Sequence, residues 1–182
     1  FMFIIGYFFI IELLDHTLRD RQRAERLTKS IVLGCYPKES TLRYRRFNKT
    51  VGNMALRQLS KSVLPYFKEG QPNVLNLLST EEKNGKTLIA TELEEYWNSI
   101  GLEIHRITYD EDFLSEDKSY VMAQSVKDLC PDIQDNEILI VEYPNLADHS
   151  ISPALLNMGT VNLMITRGNR TWKNTDQQTL NN

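Results

Sequence analysis

The stretch Val74–Trp97, VLNLLSTEEKNGKTLIATELEEYW, limits the folds open to this chain more than any other. Val74-Leu75-Asn76-Leu77-Leu78 is an apolar run of strand length. A polar turn from Ser79 to Asn84 leads into Gly85-Lys86-Thr87, and Leu88, Ile89, Leu93 and Trp97 follow at near-helical spacing. Strand, loop, Gly-Lys-Thr and helix, in that order, form the setting that a phosphate-binding loop requires. Gly85 lets the backbone turn its N–H groups inward, and a helix N-terminus adds partial positive charge. Lys86 is placed to reach terminal phosphates, and the Thr87 hydroxyl to ligate Mg²⁺. Two features depart from the usual loop. Thr80 stands where Gly or Ala normally opens it, and Glu81 and Glu82 suit an anion site only if they point outward. An ordinary strand–turn–helix carrying a chance Gly-Lys-Thr is the alternative.

At 182 residues and 41% hydrophobic content the chain is long and apolar enough for a real core, which excludes a disordered polymer. Cys35 and Cys130 have no neighbouring Cys or His, and His16, His105 and His149 are scattered, so no zinc spacing is present. Both cysteines read as reduced thiols of a cytoplasmic domain. The net charge of −3 conceals an asymmetry. Residues 15–50 hold ten Lys/Arg against four acidic residues, a balance of +6, whereas residues 51–182 hold eleven against nineteen, a balance of −8. Nucleic acid would explain a basic segment, but the preceding residues point elsewhere. FMFIIGYFFII, Phe1 to Ile11, carries no charge and is about half the roughly 20 residues that cross a bilayer. The chain opens on Phe rather than Met, so this run is expected to be the last half of a transmembrane helix cut by a fragment boundary. A buried core helix or strand is the alternative. Arg19, Arg21, Arg23, Arg26 and Lys29 follow at once, and positive charge beside a membrane segment marks the cytoplasmic side and contacts anionic headgroups. The expected organisation is a membrane-helix end over 1–14, a basic juxtamembrane segment and linker over 15–50, and an α/β domain over 51–182 that continues past the end of the chain.

Along the chain, Leu13–Leu27 reads as a helix, Lys38–Thr50 as a linker without clear period, and Met54–Phe67 as a helix with Leu56, Leu59, Val63 and Phe67 on one face. Leu102–Thr108 reads as a second strand, Ser115–Leu129 as a helix, and Ile138-Leu139-Ile140-Val141 as the most apolar strand. Such a continuous run suits a central parallel strand covered on both faces. Ser152-Pro153 is a helix start, Val161–Thr166 a fourth strand, and Thr171–Asn182 the start of another helix. Alternation of this kind implies a parallel sheet wound in right-handed βαβ units. Ligands of such sheets lie at the carboxyl ends of the strands, where the 79–87 loop, Asp110 and Glu142 converge.

The membrane-helix end, the basic stretch and the apolar run closed by Gly34 and Pro37 together resemble the membrane exit of polysaccharide chain-length determinants. Proteins of this co-polymerase family often carry a cytoplasmic P-loop domain of the bacterial tyrosine kinase type. Its loop, Ser-Pro-x-x-Gly-Glu-Gly-Lys-Ser/Thr, is similar to Ser79-Thr80-Glu81-Glu82-Lys83-Asn84-Gly85-Lys86-Thr87 in length and at the first and last three positions. The chain departs from the family in four places. The second strand of the family ends in Asp-x-Asp, and Thr108-Tyr109-Asp110 keeps only the second acid; Glu142-Tyr143-Pro144 has Glu for the Asp that ends the third strand. Around Arg57 only a remnant of the subunit-contact motif Glu-x-x-Arg-x-x-Arg is present, and no tyrosine cluster lies near the end of the chain.

The resemblance implies a P-loop sheet with flanking helices that binds ATP or ADP with Mg²⁺. Ser79, Thr80, Lys83, Asn84, Gly85, Lys86 and Thr87 would hold the nucleotide, and Thr87, Asp110 and Glu142 the metal. Lys86, Asp110 and Glu142 would be the catalytic set. Loss of one acid of the pair weakens phosphoryl transfer most directly, so little or no catalysis is expected. The implied location is the bacterial inner membrane with residues 15–182 in the cytoplasm. The implied partners are lipid headgroups, further co-polymerase subunits and the polysaccharide polymerisation and export machinery, with no nucleic acid. A non-catalytic assembly module with a relic P-loop is the second reading, and a ParA/MinD-like partitioning ATPase the third.

Overall fold

The computed structural model describes residues 17–18, 20–37, 45–109 and 123–181. The expected membrane segment, Asp110 and the stretch 115–122 lie outside them. Among the described residues, no helix is long and apolar enough to cross a membrane. The chain divides into two compact units, residues 33–166 and the two chain ends, 1–32 with 167–182.

The larger unit is built on four strands: β1 (Asn73–Leu78), β2 (Ile104–Thr108), β3 (Ile138–Glu142) and β4 (Val161–Met164). They form a parallel sheet in the order β2-β3-β1-β4. β1 and β3 are the two apolar runs of the sequence, and both take central places where each is buried on both faces. β1 leads to β2 on one side and β3 to β4 on the other, so the connections leave neighbouring strands in opposite directions. A crevice opens between the carboxyl ends of such a pair.

Alternation along the strands sends their side chains to two cores. Leu75, Leu77, Ile138 and Ile140 pack with Ile89, Ala90, Leu93 and Trp97 of α3 (Lys86–Ser99) and with Leu56, Leu59 and Val63 of α2 (Arg45–Val63). The Trp97 indole N–H donates to Ser60 Oγ at 2.7 Å, and its ring meets Phe67 edge-on at 5.8 Å. On the opposite face, Val74, Leu78, Leu139, Val141 and Tyr143 pack with Ile133, Ile151 and Leu155. Leu155 belongs to α5 (Pro153–Met158), whose first turn is capped by the Ser152 hydroxyl, as the Ser-Pro pair predicts. Asn76, fully buried in β1, fastens this face by donating to Asn162 Oδ1 at 2.7 Å and to the Leu155 carbonyl at 3.3 Å.

Three elements differ from expectation. Of the helix expected over Leu13–Leu27, Thr17, Leu18 and Asp20 are not helical: Thr17 pairs with Thr171, and Asp20 is the extended cap of a helix that begins at Arg21. Residues 45–50, assigned to a linker, are helical, so α2 begins nine residues before Met54. Lys49, Thr50 and Val51 are exposed, and the sequence Arg45-Arg46-Phe47-Asn48-Lys49-Thr50 carries no apolar period for sequence reading to detect. Of the helix expected over 115–129, the described part is α4 (Val126–Leu129), a single turn closed by a Ser125–Asp128 capping box.

The smaller unit joins the chain ends. Thr17 pairs antiparallel with Thr171, and the Leu18 N–H donates to the Arg170 carbonyl at 3.2 Å. α1 (Arg21–Thr28) follows, its N-terminus capped by Asp20, and α6 (Asn174–Asn181) closes the chain. Leu18 and Trp172 are buried, and Arg170 pairs with the buried Asp176 at 2.5 Å.

Candidate phosphate-binding site

The loop after β1 stands on buried polar anchors. Ser79 and Thr80 are both buried; the Ser79 hydroxyl donates to the Glu81 carbonyl at 2.7 Å, and the Leu146 N–H donates to the Ser79 carbonyl at 2.8 Å. The loop is thereby tied to the segment leaving β3. Glu81 and Glu82 are exposed, as an anion site demands of them. Lys83 (φ 55°) and Gly85 (φ 90°) have left-handed backbones, which aim successive N–H groups to one side and start α3. At Gly85 the position calls for glycine on backbone grounds alone, since an added Cβ would meet no atom within 4 Å. Asn84 is buried, and neither polar atom of its side chain has a hydrogen-bond partner.

The first turn of α3 faces the end of β3. The Lys86 ammonium donates to the Tyr143 carbonyl at 2.5 Å, and the Thr87 hydroxyl donates to Glu142 Oε1. Burial pushes the Lys86 pKa below its ordinary 10.5, and the charges of Glu142 and then Glu82 pull it back. Glu142 is 5% exposed, and its second carboxylate oxygen has no partner. A buried carboxylate oxygen without a donor is costly, and a cation beside it removes that cost. The hydroxyl and carboxylate oxygens here are the hard donors that Mg²⁺ takes. The residues fit the ion.

Of the three groups expected to converge, the 79–87 loop and Glu142 are in direct contact, and Asp110 lies outside the described residues. Thr108 pairs with Glu142 across β2 and β3, so a neutral hydroxyl occupies the strand end where the family pattern has its first acid. The Arg106 guanidinium is 3.5 Å from that hydroxyl and is bound more closely to Thr91 and Glu94. The Tyr109 N–H donates to the Glu142 carbonyl at 2.8 Å, and the Tyr109 and Tyr143 rings lie 5.7 Å apart, which is strand-end packing. One contributor escapes sequence reading: the Tyr143 carbonyl that holds Lys86 has no side-chain signature. Lys83, named from the loop, takes its left-handed backbone where the family loop has Gly.

No protein-family model matches the sequence, and no curated protein matches it. Among solved structures, the chain is similar to the kinase domain of the Escherichia coli tyrosine kinase ETK. The TM-score is 0.59, with 83% of this chain and 82% of that one covered at 11% identity. The fold is that of a P-loop kinase domain. At such identity the likeness concerns the backbone path, and the chemistry of Lys86, Thr87 and Glu142 rests on their own contacts.

Proposed function

We propose that residues 33–166 are a nucleotide-binding domain of the P-loop tyrosine kinase type, holding ADP or ATP with Mg²⁺ at the 79–87 loop. The observation that carries this reading is the meeting of Lys86, Thr87 and the incompletely partnered Glu142 at the switch point of a parallel sheet. The loop N–H groups and the N-terminus of α3 attract phosphate. Lys86 would leave the Tyr143 carbonyl for the terminal phosphates, and Thr87 and Glu142 would hold the metal. A bound Mg²⁺ would supply neutralisation of the phosphate charge there. Burial of Ser79 and Thr80 keeps the loop base fixed and dry, so these two act as supports.

A second observation favours weak catalysis. Phosphoryl transfer needs a group to orient and deprotonate the attacking hydroxyl, worth about 10²–10⁴-fold. Thr108 supplies no charge beside Glu142. The domain therefore acts chiefly by binding. In the wider reading it belongs to a membrane-anchored polysaccharide co-polymerase at the bacterial inner membrane, where it holds subunits together on the cytoplasmic face. Calorimetric titration with ADP, with and without Mg²⁺, tests the binding; no heat at millimolar nucleotide in either condition overturns it. Phosphotyrosine and ATPase assays on the native chain beside Thr108→Asp test the catalytic reading. Robust autophosphorylation by the native chain overturns it.

A further inference from the structure

The two chain ends form one unit, and that unit is basic. Its described residues, 17–18, 20–32 and 167–181, carry seven Lys/Arg (Arg21, Arg23, Arg26, Lys29, Arg167, Arg170 and Lys173) against three acidic residues (Asp20, Glu25 and Asp176), a balance of +4. The described part of the larger unit carries ten against thirteen, a balance of −3. Sequence alone locates positive charge in the amino-terminal stretch; pairing of Thr17 with Thr171 and of Leu18 with Arg170 brings a second basic strip, residues 167–173, alongside it. The strip is held by a core of its own. Leu18 and Trp172 are buried, and the Arg170–Asp176 pair anchors the turn into α6, where Asp176 also accepts the Lys173 N–H at 2.9 Å. Arg26, Lys29, Arg167 and Lys173 are exposed, as is Ile31, the most exposed large apolar side chain among the described residues.

We propose that this two-ended unit is an anionic-lipid contact surface to which the carboxyl-terminal segment contributes Arg167 and Lys173. The inference rests on the reading of residues 1–11 as membrane-embedded. Thr17 is six residues from Ile11, and six extended residues span at most about 20 Å. Residues 170–171, paired with 17–18, share that tether. Potential at an anionic surface decays over about 8–10 Å, and a tether of this length lets the strip enter the zone where each basic side chain strengthens contact about fivefold. Anionic phospholipid is the partner that this charge and this tether select.

The experiment uses the full chain with Cys35 and Cys130 replaced by Ser and Asn174→Cys carrying a fluorophore, reconstituted into vesicles containing nitroxide-headgroup lipid. In phosphatidylglycerol vesicles the fluorophore is expected to be quenched at least twofold more than in phosphatidylcholine, with the difference shrinking as salt rises. Arg167→Glu with Lys173→Glu should abolish the difference while the chain stays in the vesicles. Leu18→Asp, which breaks the pairing of the ends, should abolish it too, although residues 19–32 keep all their charges. Equal quenching in both lipids, or a difference that survives Arg167→Glu with Lys173→Glu, overturns the proposal and leaves membrane anchoring intact. Failure of the chain to sediment with either vesicle overturns the anchoring reading and this inference with it.

Discussion

Replacing Lys86 by Met separates what the phosphate loop does for a ligand from what it does for the fold. The Lys86 ammonium is partly buried, which depresses its pKa, and donates to the Tyr143 carbonyl. A lysine whose folded pKa is depressed burdens the folded state. The burden is full below the folded value and lifts as pH rises towards the ordinary 10.5. Met removes that burden at neutral pH and keeps most of the side-chain volume, but forfeits one charge-assisted hydrogen bond worth about 1.5–3 kcal/mol. These effects oppose each other, so the unfolding free energy should change by no more than about 1 kcal/mol. Binding has no such offset, because the lysine contact to phosphate at a desolvated site is worth about 2–5 kcal/mol. ADP affinity in Mg²⁺ should therefore fall by about 30-fold to several thousand-fold. Isothermal titration with MgADP and urea denaturation of both proteins measure the two quantities. An affinity within threefold of the native chain refutes the phosphate role. A loss of more than about 3 kcal/mol of stability would instead make Lys86 a structural residue.

Gly159→Ala should destabilise the chain by about 1–3 kcal/mol in urea melts, because the new methyl would stand 2.5 Å from Asn76 Nδ2 and closer still to Asn162 Oδ1. Trp97→Phe should lower stability by about 2–3 kcal/mol through lost indole volume and an orphaned Ser60 hydroxyl. Adding Ser60→Ala should restore about 1 kcal/mol of that loss, and additive losses would deny the hydrogen bond its role. Acid unfolding should be less steep in Glu137→Gln. The Gln134 N–H, and after it the His105 ring, hold the Glu137 carboxyl below its usual 4.5, so its contribution is present above that value and fades as pH falls through the lower folded one. Melting temperatures across about pH 3–7 measure it, and parallel curves for the two proteins would contradict the assignment.

The parts of this fold legible in sequence are those where one residue type has one physical use. β1 and β3 stand out because a strand buried on both faces is apolar along nearly all its length, and Val74–Leu78, with Asn76 as its one polar residue, and Ile138–Val141 are the runs of the larger unit that meet that demand. Ser152-Pro153 marks a helix start because its hydroxyl and its fixed φ serve no other purpose so well. The first turns of α2 left no such mark, since Arg-Arg-Phe-Asn-Lys-Thr has no apolar period and reads the same as a linker. Pairing of Thr17 with Thr171 was illegible for a different reason. It depends on two carbonyl and amide groups separated by nearly the whole chain, and main-chain groups are the same in every residue.

The site divides along the same line. Lys86, Thr87 and Glu142 could be named from spacing because strand ends and a helix start converge by topology, whichever side chains occupy them. What spacing left open was whether Glu142, one methylene longer than the Asp of the family pattern, still meets Thr87. It does, and it leaves its other oxygen in a buried place without a donor. Thr108, which could have shared the charge of a metal had it been an acid, pairs with Glu142 and offers only a hydroxyl. On the proposed reading, the one buried carboxylate that the described residues place here, beside one hydroxyl and one ammonium, would hold a metal–phosphate group, with backbone N–H groups and Lys86 carrying the phosphate charge. That carboxylate would not then be available as a base for an incoming hydroxyl. Binding without brisk turnover is what the proposed function expects of such a carboxylate.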